Sequence, residues 1–517
     1  MGASPKLEAS RDLVGSERLD MFGNSEHRRY RSIARASKAV GTLSTILAGL
    51  IWLGSCASLS TVDSTVQSPV TINSPGITPP QDESEHARIV ASYGGQYNDA
   101  NAARAIARAV GRLVAASDDP TQSYRITLLN SQVVNAFALP SGNLYVTRGL
   151  LALANDTSEV AAVIAHEMAH VTAKHAVARQ RRAEAAQELN KSVAGVLQDA
   201  DQQRLALAAT QVSLARFSQV QELEADAIGI KTLAKAGFDP FAASRFLSSM
   251  ARYAEYRAQR PNASSSKPDF LSTHPSTPER IDFAIREARE VAAPGGAEQE
   301  REEYLSELDG MVFGDDPSEG FVRGHTFLHK SLGIQFSVPQ GYNLENTSKA
   351  VLATDTAGTA MRFDGVAVAP ETSLTDYLTS GWINGLDSQS IATSDVGEFE
   401  AATAKATADG WSFRIGVLRS GRTVYRFIFA VQNPVPQFDQ AFVETFNSFH
   451  KLNPTESARL RPLHIRIHRV KSGEGIDQLA GLMQGIERRQ ETFRVLNGLD
   501  AQDTVEVGRL VKIVTDQ

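Results

Sequence analysis

The stretch VAAVIAHEMAHVTAKHAVAR, residues 160–179, sets three histidines and a glutamate in a run of alanine and valine. Ionisable side chains among methyl groups cost free energy unless a partner or a metal holds them. His166 and His170 are four residues apart, so on a helix both imidazoles leave from one face. That spacing suits two nitrogens on one tetrahedral zinc, with Glu167 on the adjoining surface as a base for water. HExxH fixes only three of its five positions, and histidines on a helix can simply hydrogen-bond to nearby backbone. Here the flanking Val160, Ala161, Val163, Ile164, Ala165, Ala169 and Val171 predict a central, buried helix. A His–Glu–His cluster buried there without a metal would be costly.

A catalytic zinc needs a third protein ligand and an open position. His175 is set aside on spacing: the longer HExxHxxGxxH pattern would put glycine and histidine where Ala173 and Ala176 stand. It reads as a structural or surface residue at the helix end. The better candidate lies in FSQVQELEADAIGIKTLAKAGFDP, residues 217–240, where Glu222 and Asp226 share one helical face. Glu222 would complete a His2Glu site. Asp226, one turn on, would accept a hydrogen bond from a ligand histidine and fix its tautomer. A solvated acidic face is the alternative, since Glu224 is also present, and periodicity does not choose between Glu222 and Glu224. The alanines and isoleucines after Asp226 argue against full exposure.

A chain of 517 residues is too long for one core and predicts roughly three or four domains. The net charge of −7 gives no basic footprint for nucleic acid, which is excluded as a partner. Cys56 is the only cysteine, so neither an intrachain disulfide nor a cysteine-ligated zinc is possible. It ends a segment with a cationic start (28–38) and an apolar run (39–56), the layout of a secretory signal. That run falls short of the roughly 20 clean apolar residues a membrane span prefers, with a tilted span as the alternative. LGSC resembles a bacterial lipobox, which predicts lipidation of Cys56 rather than a buried core cysteine. With Ala57 following, that resemblance implies a periplasmic protein lipid-anchored to the outer membrane. Met21 is an alternative start to Met1.

The expected organisation is multidomain α+β. Residues 1–56 form an N-terminal extension and signal, and 57–87, rich in Ser, Thr and Pro, a disordered tether. The folded part starts at 88 and runs to 292. In it, NAARAIARAVGRLVAA is helical, SYRITLLNS and LYVTRGLL are strands around VVNAFALPSGN, and residues 157–236 are almost wholly helical. An insert between Ala183 and Leu214 is a candidate lid. APGGAEQEREE opens a linker at 293–324, and strand-like runs define a small α/β or β-rich domain at 325–453. Residues 460–517 read as strand, helix, helix, strand. No 34-residue helical repeat is found.

The segments NAFALPSGNLYVTRGLL, HEMAHVTAKHA, ELEADAIGI, AGFDP and STHPSTPERI occur in this order. Together, over about residues 88–290, they strongly resemble the HtpX and CAAX-prenyl-protease family of zinc endopeptidases, peptidase family M48, in its soluble periplasmic lipoprotein branch. The resemblance implies a mainly helical, gluzincin-like zincin domain with a small edge sheet and one zinc per chain. It makes His166, His170 and Glu222 the ligands, Glu167 the base, and Asp226 the support behind a ligand. It also places Asn135 and Phe137 at the strand edge beside the cleft, where an extended polypeptide pairs by strand addition. His274 corresponds to a histidine near the cleft, in contact with substrate or gating the site. The family usually has Ser-Arg before the ExxxD glutamate, whereas Gln219 follows Ser218 here, which puts any substrate contact by that arginine in doubt. The last fifty or so residues resemble a LysM module, which implies either peptidoglycan binding or a packing role. The implied function is metal-assisted peptide hydrolysis in envelope quality control; the rivals are an envelope chaperone or assembly factor and a peptidoglycan-associated scaffold.

Overall fold

The computed structural model describes residues 81–196, 200–259, 270–295 and 300–516. Cys56, Met21, the signal-like segment and most of the expected tether lie outside the described residues. The end of that tether is corrected: α1 (Gln81–Ser92) is already helical before residue 88. Its polar sequence hides contacts that hold it: His86 Nδ1 lies 2.8 Å from the Tyr145 hydroxyl, and Ser92 O accepts from Ser348 Oγ at 2.9 Å.

α2 (Ala100–Ala116) starts at an Asp99 cap whose carboxylate accepts from the Asn101 and Ala102 amides. It packs against a three-stranded sheet of order β1-β3-β2, with β1 Arg125–Leu129, β2 Ala136–Ala138 and β3 Asn143–Thr147. β1 runs parallel to β3, and β2 is the antiparallel edge. LYVTRGLL is a strand only as far as Thr147: the Thr147 hydroxyl accepts from the Leu150 amide and caps α3 (Arg148–Leu153). The next helix, α4 (Thr157–Thr172), is buried at every residue from Thr157 to His170, as its apolar flanks predict. Two long helices, α5 (His175–Val196) and α6 (Ala200–Lys235), follow, and then α7 (Ala242–Ala258), α8 (Phe270–Thr273) and α9 (Pro278–Val291). α6 lies close on α4 because residue 229 is glycine: a Cβ there would sit 3.2 Å from the His166 backbone nitrogen.

Residues 293–324 are not an extended linker. α10 (Arg301–Leu308) buries Tyr304, Leu305 and Leu308, and β4 (Val312–Phe313) pairs with strand Leu463–Arg469. The polar opening of this segment masks the apolar positions that follow it. The C-terminal part folds as strand, helix, helix, strand, with Leu463–Arg469 antiparallel to Leu510–Thr515. Its Ile465, Leu479, Phe493 and Val511 share one apolar core with Ile106 of α2 and Ile164 of α4. Lys512 is fully buried, and its Nζ donates to the Ala152 and Ala154 carbonyls at 2.8 and 2.6 Å, closing the end of α3.

Between α10 and that part, a β-rich body has its own aromatic core around Phe336, Phe363, Phe427 and Phe449. A seven-stranded and a four-stranded antiparallel sheet enclose it, with helix Pro436–Asn447 packed against them.

α4 is also fixed at its start. Asp156 caps it through the Glu159 amide at 2.8 Å, and Glu159 accepts from the Asn155 amide at 2.9 Å. Arg245 joins Asp156 to Asp239. Burial, and then the Asp156 charge, push the Glu159 carboxyl up to about 7. A carboxyl raised in the folded state binds its proton more tightly there than in the unfolded chain. Stability from this group is therefore present below about 4.5 and is lost as pH rises through about 7. Glu159→Gln is expected to flatten the fall in unfolding free energy between pH 5 and 7.5, a fall of at most about 3 kcal/mol. Chemical denaturation across that range measures it; an unchanged slope in the variant would refute the assignment.

Candidate metal centre

The buried face of α4 carries His166, Glu167 and His170 into a site closed by α6 and by the segment after α8. His166 Nε2 and His170 Nε2 are 3.0 Å apart, and each lies 3.4 Å from one oxygen of Glu222 on α6. His274 Nδ1 lies 2.9 Å from Glu222 Oε2 and 3.3 Å from His166 Nε2. One donor atom from each of His166, His170, Glu222 and His274 falls within 4.8 Å of the other three, and all four residues are buried. Glu222 therefore sits in the cluster, whereas the Glu224 side chain is 54% exposed and faces His175 instead.

The residues present fit a zinc ion. Bonds of roughly 2.0–2.1 Å in a tetrahedron separate ligand atoms by about 3.3 Å, close to the spacings here. Imidazole nitrogens and a carboxylate converge on one point. Glu222 Oε1 and Glu167 Oε1 are buried without a hydrogen-bond partner, an arrangement that a cation or a polar reactant relieves.

Support comes from behind. Asp226 Oδ1 lies 2.9 Å from His166 Nδ1. Arg280 of α9 donates to both Asp226 oxygens, Nε to Oδ2 and Nη2 to Oδ1, each at 2.8 Å. Its Nη1 lies 3.1 Å from Glu222 Oε2 and donates to the Pro275 carbonyl. Arg280 escaped the sequence reading because an arginine in a charged helix carries no periodic signal, although it falls inside STHPSTPERI. Burial opposes charge on His166, but the adjacent Asp226 and Glu222 carboxylates outweigh this and push it up to about 9. Burial, and then the neighbouring His166 and His274, hold His170 far below the usual imidazole range. Burial raises Glu222, but His166 and His274 more than compensate and keep it ionised.

The other expected residues are placed as follows. His175 is buried, not a surface residue, and lies outside the four-residue group; its Nδ1 is 2.8 Å from His170 Nδ1. Asn135 is buried and its Nδ2 donates to the Tyr93 hydroxyl. Phe137 stacks on Tyr145 at 4.9 Å. Thr147 N donates to Asn135 O and Leu139 N to Asn143 O, so the intervening Ala136 and Ala138 turn their amides and carbonyls to the outer edge of β2. That edge borders a cleft of about 470 Å³ into which Glu167, His170 and His274 open.

An HExxH helix faced by a glutamate and an aspartate from a second helix is the arrangement of a metallopeptidase site, and residues 100–288 match the model of Peptidase family M48. Over 194 residues the chain is 34% identical to the putative beta-barrel assembly-enhancing protease of Vibrio cholerae, covering 35% of this chain and 37% of that protein. The beta-barrel assembly-enhancing protease of Escherichia coli is 32% identical over 189 residues, again 35% and 37% of the two chains. The mitochondrial metalloendopeptidase OMA1 of Arabidopsis thaliana is 33% identical over 164 residues, 31% of this chain and 30% of that one. The chain thus spans about a third of the length of these relatives.

Proposed function

We propose that this protein is a zinc metalloendopeptidase of the bacterial cell envelope, with a gluzincin-like catalytic domain. The observation that carries the reading is the convergence of His166, His170 and Glu222 on one point, with the Glu167 carboxylate beside it and its Oε1 buried without a hydrogen bond. Zinc held there would polarise the scissile carbonyl and lower the pKa of water from 15.7 toward about 7. Glu167 takes the proton of the attacking water as general base and delivers it to the leaving amine nitrogen. Asp226, clamped by Arg280, keeps the proton on His166 Nδ1 and leaves Nε2 free for the metal. The outer edge of β2 binds the polypeptide in extended form. His274 offers a donor atom in the same cluster, so it would occupy the place a substrate group needs and gates the site.

The relatives' name supports substrates among β-barrel proteins during assembly, and hence a quality-control role. An outer-membrane lipid anchor at Cys56 accords with that setting. An assembly or chaperone role without cleavage is the alternative. One variant separates the two: Glu167→Gln is expected to keep about one zinc per chain and to lose casein cleavage by roughly 100- to 10,000-fold. Undiminished cleavage sinks the assignment, and rescue of envelope defects by the variant favours the chaperone.

The cleft also shapes substrate choice. Lys174 and Arg179 line it, and among the described residues neither pairs with a carboxylate. Peptides with glutamate near the scissile bond should be cleaved with kcat/KM a few-fold above their glutamine counterparts, as an attraction of about 1 kcal/mol gives. Lys174→Glu with Arg179→Glu should reverse that order; an unchanged preference would show the cations to be bystanders.

The C-terminal strand-helix-helix-strand order supports the LysM-like reading and, with it, docking on peptidoglycan glycan. Sedimentation with purified peptidoglycan should carry the full chain down. A protein that stays in solution reduces this part to a packing module.

A further inference from the structure

We infer that His175 positions His170, fixing that ligand through its outer ring nitrogen. The inference rests on the zinc reading above. His170 turns Nε2 toward His166 and Glu222 and presents Nδ1 on the other side, where His175 Nδ1 lies at 2.8 Å. An imidazole that gives its Nε2 lone pair to a metal keeps its proton on Nδ1. The only role left to His175 Nδ1 at that distance is acceptor. The His175 proton then sits on Nε2, which lies 3.3 Å from Glu224 Oε2. A line of groups runs from a half-exposed carboxylate through a buried histidine to the ligand.

The backbone builds this contact. α4 ends at Thr172, and Lys174 adopts a left-handed φ of 55°, so the chain turns before α5 begins at His175. That conformation costs free energy in a residue with a side chain, and it returns the His175 ring to within 4.8 Å of the His170 ring. Gln221, next to Glu222, donates through Nε2 to the His175 carbonyl at 3.2 Å. The helix that supplies the third ligand thus also holds the residue behind the second. Spacing disqualified His175 as a ligand, and the same spacing fits it to a ligand's far side.

The test compares two substitutions in the full-length protein. His175→Asn puts an amide oxygen close to the Nδ1 position and keeps the acceptor; His175→Leu keeps the volume and removes it. Zinc affinity by chelator competition should weaken about 10- to 100-fold in the leucine variant and stay within a few-fold of wild type in the asparagine variant. The visible spectrum of the cobalt-substituted protein should shift in the first and not in the second. Wild-type affinity in the leucine variant, or equal losses in both, would overturn the inference. If the leucine variant does not fold, 15N spectra of histidine-labelled wild-type protein with zinc decide: a proton on Nε2 of His175 is expected, and one on Nδ1 refutes it. Wild-type protein that takes up no zinc would instead overturn the metal reading, and this inference with it.

Discussion

The site depends on how closely α6 can approach α4. Glu222 reaches His166 and His170 only because Gly229, two turns further along α6, lets the helix rest on the His166 backbone. A side chain at that position would have to push back atoms that are main chain, not a flexible tip, and the ligands would separate by a few tenths of an ångström. Donor atoms 3.0–3.4 Å apart leave little room for this. An interhelical distance is therefore set by a residue that touches no ligand side chain.

The second constraint is charge. Three imidazoles and three carboxylates are buried around one point, and they would repel or protonate unpredictably without a fixed counter-charge. Arg280 supplies it, spanning Asp226 and Glu222 from a helix that the Thr277 cap starts in the right place. With Asp226 engaged on both oxygens, its contact to His166 has one geometry available. The four-residue cluster is held by the chain's own side chains, which would lower the ordering cost of binding an ion there.

How much of this was legible in the sequence follows from what periodicity can carry. Two histidines and a glutamate in HExxH declare their own face, and the apolar flanks declare the burial, so the α4 part of the site could be read directly. Glu222 against Glu224 could not, because both lie on a mixed helix and only the partner helix decides which is enclosed. Arg280 was invisible for the same reason. His274 and the β2 edge came from a resemblance across ordered segments, not from spacing. The fold was misread where a few residues carry the signal. α3 is a short apolar run that continues a strand in sequence but is capped by Thr147. α1 is polar and held by a few contacts such as His86 to Tyr145, and α10 follows a charged, glycine-containing opening that resembles a linker.

Lys512 makes the C-terminal part more than an appendage. Its ammonium is buried against carbonyls at the end of α3, and burial drives its pKa well below the usual lysine value. Asn497 pairs with the Lys512 backbone on both sides, accepting from its amide and donating to its carbonyl, so the strand that carries the lysine is itself fixed. Arg301 of α10 adds a second tie, donating to Asn155 O beside the cap of α4 and to Leu510 O. These bonds meet at the short segment between α3 and α4, the helix that carries His166 and His170. Buried polar contacts thus join the C-terminal part to the start of α4. The C-terminal part is therefore continuous with the core that carries His166 and His170, not a domain tethered beside it.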